Sequence, residues 1–132
     1  EVKVSMPEDK VLSYISANEI NYIAFGVATE EYHNELYNEL ETNFWNDINN
    51  DFQTLKQNGN YDKDDSRQVV FDNEFFSKQR GEKVDSPYKG IPNKVTEHTY
   101  IRNKIHHSKE NGGSPKIEEL YESIKNLRTF FL

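Results

Sequence analysis

Arg102-Asn103-Lys104-Ile105-His106-His107 places five side chains able to bind or act on a phosphate in six consecutive positions, and the reading of the whole chain turns on this stretch. Arginine carries a planar fork of donors, histidine exchanges protons near neutrality, and asparagine offers a donor and an acceptor. Pro92 suits the first turn of a helix, so the stretch is predicted to close a helix running from about Ile91. Ile91, Val95, Ile101 and Ile105 share one arc of that helix. At about 100° per residue His98 and Arg102 fall inside the arc and Tyr100 opposite it. The arc therefore either buries polar groups that need partners or lines a cleft.

Spacing limits how these groups can cooperate. Arg102 and His107, five positions apart, would stand about 140° apart on an unbroken helix. They meet only if the helix ends between them and the chain turns back, or if a second copy of the chain supplies the counterpart. Asn103 and His107, four apart, share a face, and so do Arg102 and His106. Spacing alone does not choose between the two histidines.

Downstream, Asn111-Gly112-Gly113 breaks the chain, Ser114 is placed to cap a last helix and Pro115 to open it. Ile117, Leu120, Tyr121, Ile124 and Leu127 give that helix an apolar face. Upstream, Ser5 and Glu8 read as a capping box. They predict a helix with Val11, Leu12 and Ile15 on one face, ending near Ser16-Ala17-Asn18. Ile20 to Ala28 has no clear period and is assigned to helix because no partner strand is evident elsewhere in the sequence. Thr29-Glu30-Glu31 is a second start signal, with acids in the first turn, where the helix dipole favours them. The helix it opens is predicted to reach about Gln57.

In that long helix Tyr32, Leu36, Leu40, Phe44, Ile48 and Phe52 recur every four residues, so the stripe rotates by about 40° per turn and its two ends meet different neighbours. Tyr37 and Trp45 flank the stripe, which reads as core and not as a platform for stacked bases. Asn58-Gly59-Asn60 ends the helix. Asp62, Asp64 and Asp65 then lie in an acidic loop that lacks the glycine and the distant glutamate of a calcium loop. A helix from about Ser66 to Gln79 buries Val70, Phe71 and Phe75 or Phe76, and Arg80 to Gly90 is a loop. The expected fold is all-α, one bundle of four to five helices over residues 1–132.

Composition agrees with one small core. Only 34% of the chain is hydrophobic and 30% is charged, but eight Tyr, eight Phe and Trp45 supply large buried surfaces from few positions. The chain has no cysteine, which removes disulfide and thiolate chemistry; with only four histidines a structural zinc site is not expected. No apolar run approaches the ~20 residues that span a bilayer and no signal peptide opens the chain, so a cytoplasmic protein is expected. The start at Glu1, without an initiator Met, reads as mid-sequence, and the expectation is the C-terminal domain of a larger protein. Net charge is −7, yet residues 1–50 hold ten acidic side chains against two lysines. From Lys89 to Lys109, five basic side chains face Glu97 alone, a local island suited to a short length of RNA.

The order arginine, asparagine, three residues, histidine, at the end of one helix and ahead of a terminal one, resembles the HEPN superfamily of small helical domains. Arg102, Asn103 and His107 match its R-N-x-x-x-H signature, Ile105 supplies the apolar position, and the likeness covers about Ile91 to Leu132. The resemblance implies a homodimer whose paired motifs line a cleft where RNA is cut without a metal or other cofactor. It makes Arg102, Asn103 and His107 catalytic, selecting His107 over His106. Lys94, His98, Lys104 and His106 then stand as RNA-binding candidates, with a satisfied structural histidine as the competing reading of His98. Many such proteins are toxins or abortive-infection effectors of antiviral defence, held in check by an antitoxin or a regulatory domain. Others keep the fold and have lost catalysis. A helical module that dimerises or docks a partner is therefore the alternative expectation.

Metal-free cleavage needs the 2′-hydroxyl deprotonated, the leaving 5′-oxygen protonated and the extra charge on phosphate stabilised. Histidine suits the proton transfers, arginine the charge, and asparagine can hold a phosphate oxygen or an imidazole.

Overall fold

Ser16 starts the first helix where the sequence reading had placed an end: its hydroxyl accepts from the Glu19 N–H, and α1 runs Ala17–Phe25 to Gly26, whose φ of 67° only glycine adopts freely. The structure, a computed structural model, describes residues 9–79, 81–86, 93–109 and 112–131. The capping box at Ser5 and Glu8 lies outside the described residues. Residues 9–16, predicted to complete its helix, are not helical. Their backbone donors go elsewhere: Val11 and Leu12 N–H reach the Glu19 carboxylate at 3.1 and 3.3 Å, and Ser13 N–H reaches Glu39 at 3.1 Å. Leu12 is buried by this path, whereas Ile15 is 70% exposed. Glu19, itself buried, also accepts from the Tyr32 hydroxyl at 2.9 Å and lies 3.6 Å from Arg128. A buried carboxylate is tolerated there because charge and hydrogen bonds meet it on several sides.

Thr29 caps α2, Glu30–Asp47, by accepting from Tyr32 N–H. This helix is the axis of the molecule. Tyr32, Leu36, Tyr37 and Leu40 are buried along it, and it packs against both α5 and α6. It stops ten residues short of the predicted end. Asn49 and Asn50 take φ of 55° and 57°, a left-handed pair that asparagine accepts better than other side chains, and Asp51 then caps a separate helix, α3, Phe52–Asn58.

Ser66 caps α4, Arg67–Phe71, which continues as a π-helical stretch over Asp72–Ser77. Val70, Phe71 and Phe76 are fully buried from this element, with Phe75 half-buried beside them. The Phe71 ring meets Tyr37 edge-on at 5.6 Å, and Phe76 packs on His98 and Phe130 at 4.9 and 5.2 Å.

The all-α expectation needs one correction. Among the described residues there is a two-stranded antiparallel sheet, β1 Lys83–Ser86 and β2 Asn93–Thr96, with Val84 opposite Val95 and Asp85 opposite Lys94. Strand β1 lies in the predicted loop and β2 in the predicted start of the motif helix; Ile91 and Pro92 fall outside the described residues. The physical cause is Asp72. Buried completely, its carboxylate accepts from Thr96 N–H at 3.0 Å and from the Thr96 hydroxyl at 2.5 Å, with Lys83 at 3.9 Å. Thr96 is thereby held extended, β-branched Val95 and Thr96 pair as strand, and the helix starts one residue later. Helix α5 is Glu97–His106, and α6 is Ile117–Thr129. The last helix starts after Lys116, not at Pro115, with Lys116 N–H donating to Glu119 at 3.2 Å. The protein is mostly helical, and no helix among the described residues is long and apolar enough to cross a membrane.

Candidate functional site

The C-terminal half of α5 carries the motif, and three elements hold its side chains. Asn103 Oδ1 accepts from Gln68 Nε2 of α4 at 3.1 Å and lies 3.4 Å from Arg102 Nη1. The Arg102 guanidinium sits 5.5 Å from the centre of the Tyr37 ring on α2, a cation over an aromatic face. Its Nε is buried and has no hydrogen-bond partner among the described residues. Lys104 leans toward α6, 3.7 Å from Glu119, with its ammonium 5.0 Å from the Tyr100 ring centre.

The helix ends at His106. His107 leaves helical geometry with φ −135° and ψ 52°, while its N–H still closes on Asn103 O at 2.8 Å. The chain turns between Arg102 and the polar loop beyond, so the angle expected of an unbroken helix does not apply to His107. Both His106 and His107 are exposed. Partial burial, then the charges of Arg102 and His107, hold the His106 imidazole below its ordinary value. Arg102 and His107 thus both act on His106 at one end of the bundle.

His98 lies one turn back from Arg102 and faces inward. It is buried between Phe76 and Phe130, and its Nδ1 is 2.8 Å from Ser123 Oγ of α6. The same hydroxyl lies 2.8 Å from His33 Nε2 of α2. A serine has one proton to give, so in the neutral chain one ring donates to Ser123 and the other accepts from it. His33 is fully buried, its Nδ1 has no partner among the described residues, and burial pushes its imidazole down to about 3, assisted by positive charge at His98, Arg102 and His106. All four histidines of the chain thus lie around Arg102 or in contact through Ser123. The exposed Lys94 stands apart on β2, across from Asp85, and not on the motif helix.

The sequence reading missed His33, Glu41 and Gln68. A signal existed for the first two: His33, Tyr37 and Glu41 are spaced four apart, a polar stripe beside the apolar one on α2. Burial raises the Glu41 carboxyl, against the pull of Arg102, a hydrogen bond from Trp45 and the charge of Arg67. Gln68 carried no such signal, since its role depends on how α4 crosses α5.

A cavity of about 620 Å³ opens at the opposite end of α5, lined by Glu82, Asp85, Glu97 and Glu119 with Tyr100 and Phe130. Burial and the neighbouring Glu122 and Glu119 raise the Glu97 carboxyl. Four carboxylates make this cavity a poor place for a polyanion, and the motif end is the electrostatically suited one. Compared with families, with curated proteins and with solved structures, the chain finds no match: no family model, no curated protein and no solved structure.

Proposed function

We propose that this protein is a metal-independent endoribonuclease of the HEPN kind, acting as a toxin or antiviral-defence effector. The observation that carries the reading is the end of α5, where Arg102 and His107 both lie within electrostatic reach of His106 while Gln68 and Arg102 donate to Asn103. In the proposed reaction the 2′-oxygen forms a bond to phosphorus as its proton passes to a histidine, and the bond to the 5′-oxygen breaks as that oxygen takes up a proton. The products are a 2′,3′-cyclic phosphate and a 5′-hydroxyl. His107 carries proton transfer, Arg102 stabilises the charge gathering on phosphate, and Asn103 orients a phosphate oxygen. His106 and Lys104 bind the strand alongside. His98, buried between Phe76 and Phe130 at the wall of the 620 Å³ cavity, positions α5 against α6, and Lys94 adds a charge at the periphery.

The active species is a two-fold dimer in which the motif of each copy faces the other's, with an inhibitory partner or attached domain as the regulator. One observation favours the alternative, a helical module that docks a partner and does no chemistry. The motif side chains also tie α5 to α2, α4 and α6 through Tyr37, Gln68 and Glu119. Incubation of purified protein with mixed RNA in EDTA separates the two. The ribonuclease cuts, and an Arg102→Ala, His107→Ala double variant of unchanged fold does not. Equal RNA survival with both proteins would leave the docking module.

A further inference from the structure

Beside the motif lies a second pocket, about 430 Å³, between the end of α2 and the start of α4. Glu41, Trp45, Asn46, Asn50, Arg67 and Gln68 line it. Three features make it more than a surface dent. Gln68 belongs to both places: it lines this pocket and donates to Asn103 Oδ1, so the pocket begins where the proposed phosphate site ends. The left-handed turn at Asn49 and Asn50 folds the chain back after α2 and places the Asn50 side chain on the rim. Finally, the Arg67 guanidinium lies over two aromatic rings, 4.8 Å from the Trp45 ring centre and 5.3 Å from that of Phe52, so a cation that lines the pocket is held in place by ring faces.

The chemistry of this wall is specific. A carboxyl group, a guanidinium, three side-chain amides and an indole line one small pocket. A phosphate would be repelled by Glu41, so the pocket suits the uncharged part of a nucleotide. Among the four bases only guanine presents two adjacent donors, N1–H and N2–H, to a carboxylate and two adjacent acceptors, O6 and N7, to an arginine. We propose that this pocket is a base subsite that takes a guanine of single-stranded RNA, next to the phosphate held by Arg102, with Glu41 reading the N1–H and N2–H edge and Arg67 the adjoining O6 and N7 edge. The inference rests on the ribonuclease reading for its place beside a cleaved bond, and on the pocket alone for its base.

Trp45 is the chain's single tryptophan and lines this pocket, so in the folded protein its emission is the probe of what binds there. The test is titration of the purified protein with guanosine, adenosine, cytidine and uridine 5′-monophosphates, excited at the red edge of the indole band to limit absorption by the nucleotide. Guanosine monophosphate gives a saturable change, and each of the others binds about tenfold more weakly or worse. Glu41→Gln removes the preference, because an amide N–H then opposes the base donors. Arg67→Gln weakens binding by about tenfold, and the exposed Asn46→Ala variant weakens it less. No saturable signal, equal binding of all four, or an undiminished preference in Glu41→Gln overturns the subsite. Cleavage of RNA in EDTA without any guanine-dependent signal removes the subsite and keeps the ribonuclease. Selective guanine binding without cleavage removes the ribonuclease, and with it the pocket's place beside a scissile phosphate.

Discussion

Acidification should destabilise the fold through His33, by an amount set by its burial. The unfolded imidazole titrates at its ordinary 6.5, whereas the folded one is pushed down to about 3. The folded state therefore binds this proton less readily than the unfolded state does. Its contribution is fully present above 6.5 and is lost as pH falls from 6.5 toward 3. Each pH unit in that window costs about 1.4 kcal/mol, so lowering the pH to about 5 removes about 2 kcal/mol, a large share of a small domain's stability. Other groups act in the same range. Glu41 and Glu97, raised by burial, favour the fold as they protonate, whereas the lowered Glu74 loses stabilisation as pH falls through its folded value. Comparison with a His33→Gln variant cancels these shared contributions, and glutamine can still meet Ser123. Urea melts followed by Trp45 emission at several pH values give the difference. The variant is less stable at neutral pH, and below 6.5 its stability falls less steeply than the wild type's by about 1.4 kcal/mol per unit. Parallel slopes in the two proteins would refute the burial of a neutral His33.

Removal of the Asp72 carboxylate should loosen the β-hairpin and the start of α5 together, because Thr96 N–H and hydroxyl and Lys83 all turn to it. Asp72→Ala costs about 3 kcal/mol in chemical denaturation; a loss under half that would mean water replaces the carboxylate. His107→Ala abolishes RNA cleavage with fold retained, while His106→Ala costs much less; the reverse order would exchange their roles. Mixing Arg102→Ala chains with His107→Ala chains restores partial activity if the site is shared across a dimer. A mixture that stays inactive although exchange is shown by mass places the site within one chain.

The helices with caps written in side chains were legible: Thr29 and Ser66 start helices where the sequence placed them, and the apolar stripe of α2 is the core. Where the reading failed, a distant group had taken over the local backbone. Glu19 and Glu39 draw the donors of residues 11–13 out of a helix, and Asp72 holds Thr96 extended across 24 positions. Such competition depends on tertiary approach and leaves no periodic trace. Ser16 illustrates the point: it caps α1 because the segment before it, whose donors turn to Glu19 and Glu39, is not helical. At the candidate site the motif was legible from order alone. Its support was not, since Gln68, Ser123 and Glu41 act only through the crossing of α4, α6 and α2 with α5.

The chemistry of the cut ends tests the central claim most directly. A defined RNA oligonucleotide is cleaved in EDTA, and the same oligonucleotide with a single 2′-deoxy sugar at the cut position serves as the comparison. The account predicts a 2′,3′-cyclic phosphate and a 5′-hydroxyl from the first and no cleavage at that bond in the second. Cleavage of the deoxy-substituted bond, a 3′-hydroxyl end, or activity that disappears on chelation would contradict it.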